Sequence, residues 1–169
     1  TIPVVLYGAA GAPDGAGRVG APALRAVKRL AAPIAPAAFD FLTLALAATA
    51  AEAFVAREEA ADGWTRQLEL VVPLQDPARW FAVKDRLADT LRFLTGDLWS
   101  LELVGWGPSP PPPRHRRDAI PLAGHDCVCL FSGGLDSAIG AVDLTALGRR
   151  PLLVSHAYRE DGPKQEALH

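Results

Sequence analysis

The stretch that most limits what this chain can fold into runs from Asp126 to Val154, "DCVCLFSGGLDSAIGAVDLTALGRRPLLV". "DCVCLF" is a short run that is apolar on both faces, with Asp126 at its mouth, and predicts a buried strand. "SAIGAVDLTALG" predicts a helix with Ile139, Val142 and Leu147 facing inward and Gly148 as its stop. "RPLLVSHAY" is a second apolar strand. Strand, helix and strand with both strands apolar all round predict a right-handed βαβ unit of a parallel sheet. Two strands cannot bury such surfaces, so further strands are expected after His169 or from a partner. The lack of methionine and the stop at Leu168-His169, in what reads as a first helical turn, suggest a piece of a longer protein.

Composition excludes several classes. Half of the 169 residues are hydrophobic and 21% are charged, an ordinary globular balance. A net charge of −2 gives no electrostatic case for direct binding to nucleic acid or to an anionic membrane. The most apolar stretch, "AAFDFLTLALAATAAEAFVAR", is interrupted by Asp40 and Glu52 and falls short of the roughly 20 clean residues a bilayer requires. No basic segment precedes an apolar core with a cleavage site. Two cysteines, Cys127 and Cys129, are too few for a disulfide scaffold; two apart on a strand they point the same way and read as small buried thiols. These features predict a cytoplasmic protein.

The first 107 residues read as a compact α+β unit. "PVVLYG" (3–8) predicts a strand, and "GAAGAPDGAGRVG" a turn-rich loop. "APALRAVKRLA" places Leu24, Val27 and Leu30 at helical spacing, with Pro22 in the first turn. Residues 37–57 predict a helix with Phe41, Leu44, Ala48 and Phe54–Val55 as its apolar side. "RQLELVVPL" predicts a strand ending at Pro73. Asp76 as cap, Pro77 at the first position and Gly96 at the end bound one long helix, buried through Trp80, Val83, Leu87, Leu91 and Leu94. "LWSLELVGW" alternates, with Trp99, Leu101 and Leu103 on one face, and predicts a half-buried strand in an antiparallel or mixed sheet. The four consecutive prolines of "GPSPPPPRHRRDAIPLAG" then mark a semi-rigid linker over 108–124. Its "RHRR" (114–117) is a solvated charge run or a phosphate contact.

Two glycine loops compete for a nucleotide. "GAGRVG" (15–20) satisfies G-x-G-x-x-G and has Asp40 at the expected distance. The pattern requires its first glycine directly after a strand, and Pro13 and Asp14 intervene. "SGGLDS" (132–137) instead leaves a buried strand and opens a helix directly. Gly133 and Gly134 allow consecutive N–H groups to turn inward together, and the helix adds its unsatisfied N–H groups and positive dipole end. The hydroxyls of Ser132 and Ser137 add donors, so the loop suits a phosphate or pyrophosphate. Asp136 suits such a site when Mg²⁺ lies between it and the phosphate. The lysine of a Walker loop is absent, as is the G-x-S-x-G nucleophile elbow. ATP cleavage between the α- and β-phosphates fits better than transfer of the terminal phosphoryl group.

"LFSGGLDSAIGA" resembles the PP-loop motif, SGGxDS, of the ATP pyrophosphatase superfamily, with all six positions filled. "FSGGLDS" followed by "PLLVSHAY…KQEAL" is most similar to the QueC family, the 7-cyano-7-deazaguanine synthases, in which a glutamine opens the next helix as Gln165 would here. The N-terminal domain is absent from plain QueC. With "VPLQDPARWF" and "FLTGDLW" it resembles the QueC-like proteins of bacterial anti-phage defence operons, such as Qat and type IV CBASS systems. The resemblance implies an α/β chain in which residues 125–169 begin an adenine-nucleotide α-hydrolase-like, Rossmann-like parallel-sheet domain, cut after its second strand. It implies an ATP pyrophosphatase-type ligase that adenylates a small carboxylic acid, in QueC 7-carboxy-7-deazaguanine, and passes it to an amine. Carried onto this sequence, Ser132, Gly133, Gly134 and Ser137 would hold pyrophosphate, Asp136 would meet Mg²⁺, and Asp136 and Ser137 are the catalytic candidates. Leu130, Phe131, Leu135, Ala138 and Ile139 complete the nucleotide-contacting stretch, and Ser155 to Ala157 would lie near adenosine. His156 is either an acid–base group or a structural hydrogen-bonder. "SHAYRED" stands where the family carries an acidic and aromatic cluster. The family's cysteine-rich Zn²⁺ site lies toward its C-terminus, and nothing here matches it. Other readings stay open: another PP-loop enzyme, of tRNA-modifying or amidotransferase type, or a nucleotide-binding scaffold whose N-terminal domain docks a partner protein of the same operon. Exposed tryptophans on that domain would support the scaffold.

Overall fold

The computed structural model describes residues 1–8, 14–113 and 119–155. The chain forms two compact units, Thr1–Ala119 and Ile120–His169, of mixed α/β build with small parallel sheets.

The first unit begins with a short parallel pair, β1 (Val4–Leu6) and β2 (Gly17–Val19), in the register Val4↔Gly17 to Leu6↔Val19. Residues 17–19 belong to the stretch expected as loop. Pairing with β1 overrides the local turn chemistry there. Helix α1 (Ala21–Val27) follows, with proline in its first turn, and then the 19-residue α2 (Pro36–Phe54). Beyond α2 come a single 3₁₀ turn at Arg57–Glu59 and strand β3 (Gln67–Pro73). Helices α3 (Pro77–Phe81) and α4 (Lys84–Thr95) lead to β4 (Leu98–Val104).

Strand β4 lies parallel to β3, from Gln67↔Leu98 to Pro73↔Val104, which corrects the expectation of an antiparallel or mixed sheet. The alternation that suggested it has another cause. Helices α3 and α4 pack on β4 and α2 packs on β3, while Ser100 and Glu102 face solvent. A parallel pair covered on one face alternates just as a hairpin does. The core gathers Leu44 and Ala47 of α2, Val72 and Leu74 from β3 and its end, and Leu101 and Leu103 of β4. Trp80, Leu87, Leu91 and Trp99 pack around it.

Two helices differ from expectation. The buried side of α2 is Phe39, Asp40, Thr43, Leu44, Ala47 and Ala50, whereas Phe41 and Phe54 are exposed. An alanine-rich helix is apolar all round, so its periodicity does not choose a face. The long helix over 77–95 is two. Asp76 accepts from Arg79 N–H at 3.4 Å to cap α3, but Val83 N–H turns back to Trp80 O at 3.1 Å, closing a three-residue turn. Helix α4 then runs to Gly96, whose left-handed φ of 76° ends it as foreseen. Leu94 at its last turn is exposed rather than buried. Helix α2 is the one described helix long and apolar enough to cross a membrane by length and composition; here it backs β3.

The start of the proline-rich segment lies against this unit. Gly107 N–H donates to Leu74 O at 3.0 Å, and Gln75 Nε2 to Ser109 Oγ at 3.0 Å. Any side chain at Gly107 would collide with the Leu74 backbone. The basic run 114–117 falls outside the described residues.

The second unit is β5 (Cys127–Leu130), α5 (Leu135–Ala146) and β6 (Pro151–Val154), with β5 and β6 parallel from Cys127↔Pro151 to Leu130↔Val154. Its apolar residues are not buried as expected. Ile139, Val142 and Leu147 are exposed, as are Val128 and Leu130 on β5, and both free thiols are half-buried. A helix on two strands covers one face of each, and no other described element covers the rest.

Candidate functional site

The loop between β5 and α5 carries the residues that the sequence singles out, Ser132 to Ser137. Its base is fixed by Phe131, which is buried and donates its N–H to Val154 O at 2.8 Å, so the chain leaves the strand already paired to β6. Ser132 follows at the surface. Gly133 takes φ +82°, a left-handed angle that a side chain disfavours, and this reverses the chain toward the helix. Gly134 is the N-cap, extended at φ −86° and ψ 164°, and no side chain caps the helix. Its carbonyl accepts from Ala138 N–H at 3.1 Å and from Ser137 Oγ at 2.8 Å.

The two serines close on each other across the turn. Ser132 Oγ and Ser137 Oγ are 3.2 Å apart, and Gly134 N–H donates to Ser132 Oγ at 3.4 Å. The two serine hydroxyls thus lie side by side at the first turn of a 12-residue helix, with the Gly134 N–H and the Ser137 hydroxyl bonded within the loop. A helix N-terminus is where an anion binds. Asp136 stands exposed in that first turn. Its carboxylate and the two hydroxyls are oxygen donors, the kind a hard Mg²⁺ takes. Among the described residues no three His, Cys, Asp or Glu side chains cluster as a ready-made metal site.

The other predicted residues divide by position. Leu130 and Leu135 flank the loop and are exposed, Ala138 is half-buried behind Ser137, and Ile139 lies one turn further along α5 with half its surface free. Ser155 follows β6 directly, at the same end of the pair as the loop. His156, Ala157, the rest of "SHAYRED" and Gln165 lie outside the described residues.

Asp126 is at the other end of β5 and is engaged there. It accepts from Arg150 N–H at 2.9 Å and pairs with Arg149 Nε at 3.3 Å. The Arg150 N–H chiefly, with Arg149 beside it, holds the carboxyl below the usual range. Sequence reasoning placed Asp126 at a strand mouth without seeing this role; the signal was the arginine pair 149–150 at the mouth of the next strand. A cavity of about 930 Å³ also opens at that end, beside Thr145, Arg149 and Pro151. It is the uncovered side of a helix on two strands.

The competing glycine pattern is structural. Its residues 17–19 are strand β2 itself rather than a strand-to-helix turn. Asp40 is fully buried and holds the β3–α3 turn, accepting from Gln75 N–H at 2.8 Å, Asp76 N–H at 3.1 Å and Trp80 Nε1 at 3.4 Å. No lone pair of it faces an open pocket for a ribose. Neither protein-family models, nor curated proteins, nor solved structures yielded a match to this chain.

Proposed function

We propose that this chain binds Mg-ATP through residues 132–137 and belongs to a PP-loop, QueC-like ligase. Such an enzyme adenylates a small carboxylic acid, 7-carboxy-7-deazaguanine or a similar deazapurine, within an anti-phage defence system of the cytoplasm. The observation that supports the reading is the β5–SGGLDS–α5 turn, in which Gly133 and Gly134 lead a strand straight into a helix N-terminus and the Ser132 and Ser137 hydroxyls stand 3.2 Å apart beside it. In the proposed reaction the substrate carboxylate oxygen attacks the α-phosphorus of ATP, and the bond to the bridging oxygen of the β-phosphate breaks. Pyrophosphate leaves held by the loop. An amine then attacks the acyl carbon, AMP departs, and the amine's proton passes to solvent. Mg²⁺, when bound, neutralises phosphate charge beside Asp136.

The test is pyrophosphate release from Mg-ATP by the protein carrying this chain, with and without 7-carboxy-7-deazaguanine. Release that requires the acid and falls at least about a hundredfold in Asp136→Ala supports the reading. ATP binding without release under either condition favours the scaffold instead. One observation bears on that second reading: Trp64 and Trp106 on the first unit are exposed, while Trp80 and Trp99 pack on the core. Trp106 also sits at φ +67°, a costly angle for a bulky residue.

A further inference from the structure

Among the described residues, strands β1 and β3 are each paired on one side only, are not paired with each other, and are both backed by α2. Tyr7 N–H donates to Val19 O at 2.8 Å and Gly17 N–H to Pro3 O at 3.0 Å. The odd-numbered residues of β1 therefore face β2, and Val4 and Leu6 turn their N–H and C=O groups the other way. On β3 the parity is opposite. Leu98 N–H donates to Arg66 O at 2.9 Å and Leu74 N–H to Val104 O at 2.8 Å, so Gln67, Glu69 and Val71 present their backbone to the free side. Between these two edges lies a slot of about 590 Å³. Its helix side is formed by Ala47, Ala50, Ala51 and Phe54.

We infer that this slot receives an extended segment of a partner polypeptide, which adds as a strand between β1 and β3. Two rows of N–H and C=O groups, repeating every second residue or about 6.7 Å, are matched on both sides by another strand. Pro73 lacks an N–H and ends the usable edge of β3, which sets the segment at about five residues. The alanine floor leaves volume for larger apolar side chains on the inward face of the guest. Glu69 is the one charged side chain among the described residues that line the slot, and it faces solvent, so the guest carries a lysine or arginine on its outward face. The inserted strand joins the two existing pairs into one sheet across α2. The inference concerns the first unit and stands whether or not the loop at 132–137 binds ATP.

The experiment titrates the protein with two end-blocked pentapeptides, Val-Lys-Val-Lys-Val and Val-Glu-Val-Glu-Val, and follows amide hydrogen exchange. The lysine peptide is expected to bind and to slow exchange at Val4, Leu6, Gln67, Glu69 and Val71. N-methylation of its alternate amides weakens binding by about tenfold or more. Glu69→Lys, an exposed change that leaves folding intact, reverses the preference to the glutamate peptide. Ala51→Leu fills the floor and abolishes binding of either, with circular dichroism confirming the fold. No protection at about 1 mM peptide, far above a typical peptide–groove affinity, overturns the inference. Binding indifferent to N-methylation and to Glu69→Lys overturns it equally. A dimer in sedimentation that Ala51→Leu dissociates would make a second copy the occupant and overturn the partner assignment.

Discussion

At the scale of single residues, the group with most at stake is Asp97, which is fully buried at the start of β4. Arg57 reaches it with two bonds of 2.9 and 3.1 Å, and Arg66 with its backbone N–H at 3.0 Å, its Nε at 3.1 Å and its Nη2. The same two arginines extend to Glu52 Oε1 and Val55 O beside the end of α2 and to Thr95 O at the end of α4, so one carboxylate ties four segments. The Arg66 guanidinium chiefly, against the desolvation of burial, holds the Asp97 carboxyl down to about 2. Its pKa is lower folded than unfolded, so its contribution to stability is complete above about pH 4. That contribution is lost as pH falls through about 2. Asp97→Ala removes the buried carboxylate that Arg57 and Arg66 share, leaving them Glu52 and backbone carbonyls, and is expected to cost about 3–5 kcal/mol, measured by urea unfolding at pH 7. It should also flatten the acid limb between pH 4 and 2, whereas an unchanged limb would assign acid lability elsewhere. Nothing in the spacing of Arg57, Arg66 and Asp97 announces this network, because it depends on how α2, β3 and β4 meet.

At the scale of elements, chain-local signals were legible and partner-dependent ones were not. Proline placed the start of α3 and glycine the ends of α4 and α5, and the strand at 67–73 stops at Pro73 as read. Strand direction was invisible, because alternation reports a covered face and not the course of the neighbour. The buried side of α2 was invisible too, since alanine on every side gives no preferred direction. The loop at 132–137 was legible because its glycines, hydroxyls and acid are consecutive in sequence. The pairing of Phe131 with Val154, which sets the loop's base, was not. Gly107 supplies a test at this scale. Gly107→Ala forces a methyl group against the Leu74 backbone, and the cost expected from overpacking is about 1–3 kcal/mol in thermal unfolding. A neutral substitution would mean that the segment after β4 does not lie on the β3–α3 turn.

At the scale of the whole chain, the two units differ in how much each buries. The first has a core in which Phe39, Val72 and Leu74 are all but inaccessible; in the second, Phe131 is the one buried apolar residue among those described. Amides of β3 and β4 are therefore expected to exchange with deuterium much more slowly than those of β5 and β6, by about a hundredfold or more. Equal protection in both pairs would mean that the exposed side chains of α5 and β5 are covered in solution. The proposed role of residues 132–137 is to hold the phosphates of ATP. The most direct measurement is amide NMR of this chain titrated with Mg-ATP. The predicted result is that the largest shifts fall on Gly133, Gly134, Leu135, Asp136 and Ser137, saturate, and are weakened at least about tenfold by Gly133→Val. Shifts that never saturate, or that gather elsewhere while the loop stays still, would contradict it.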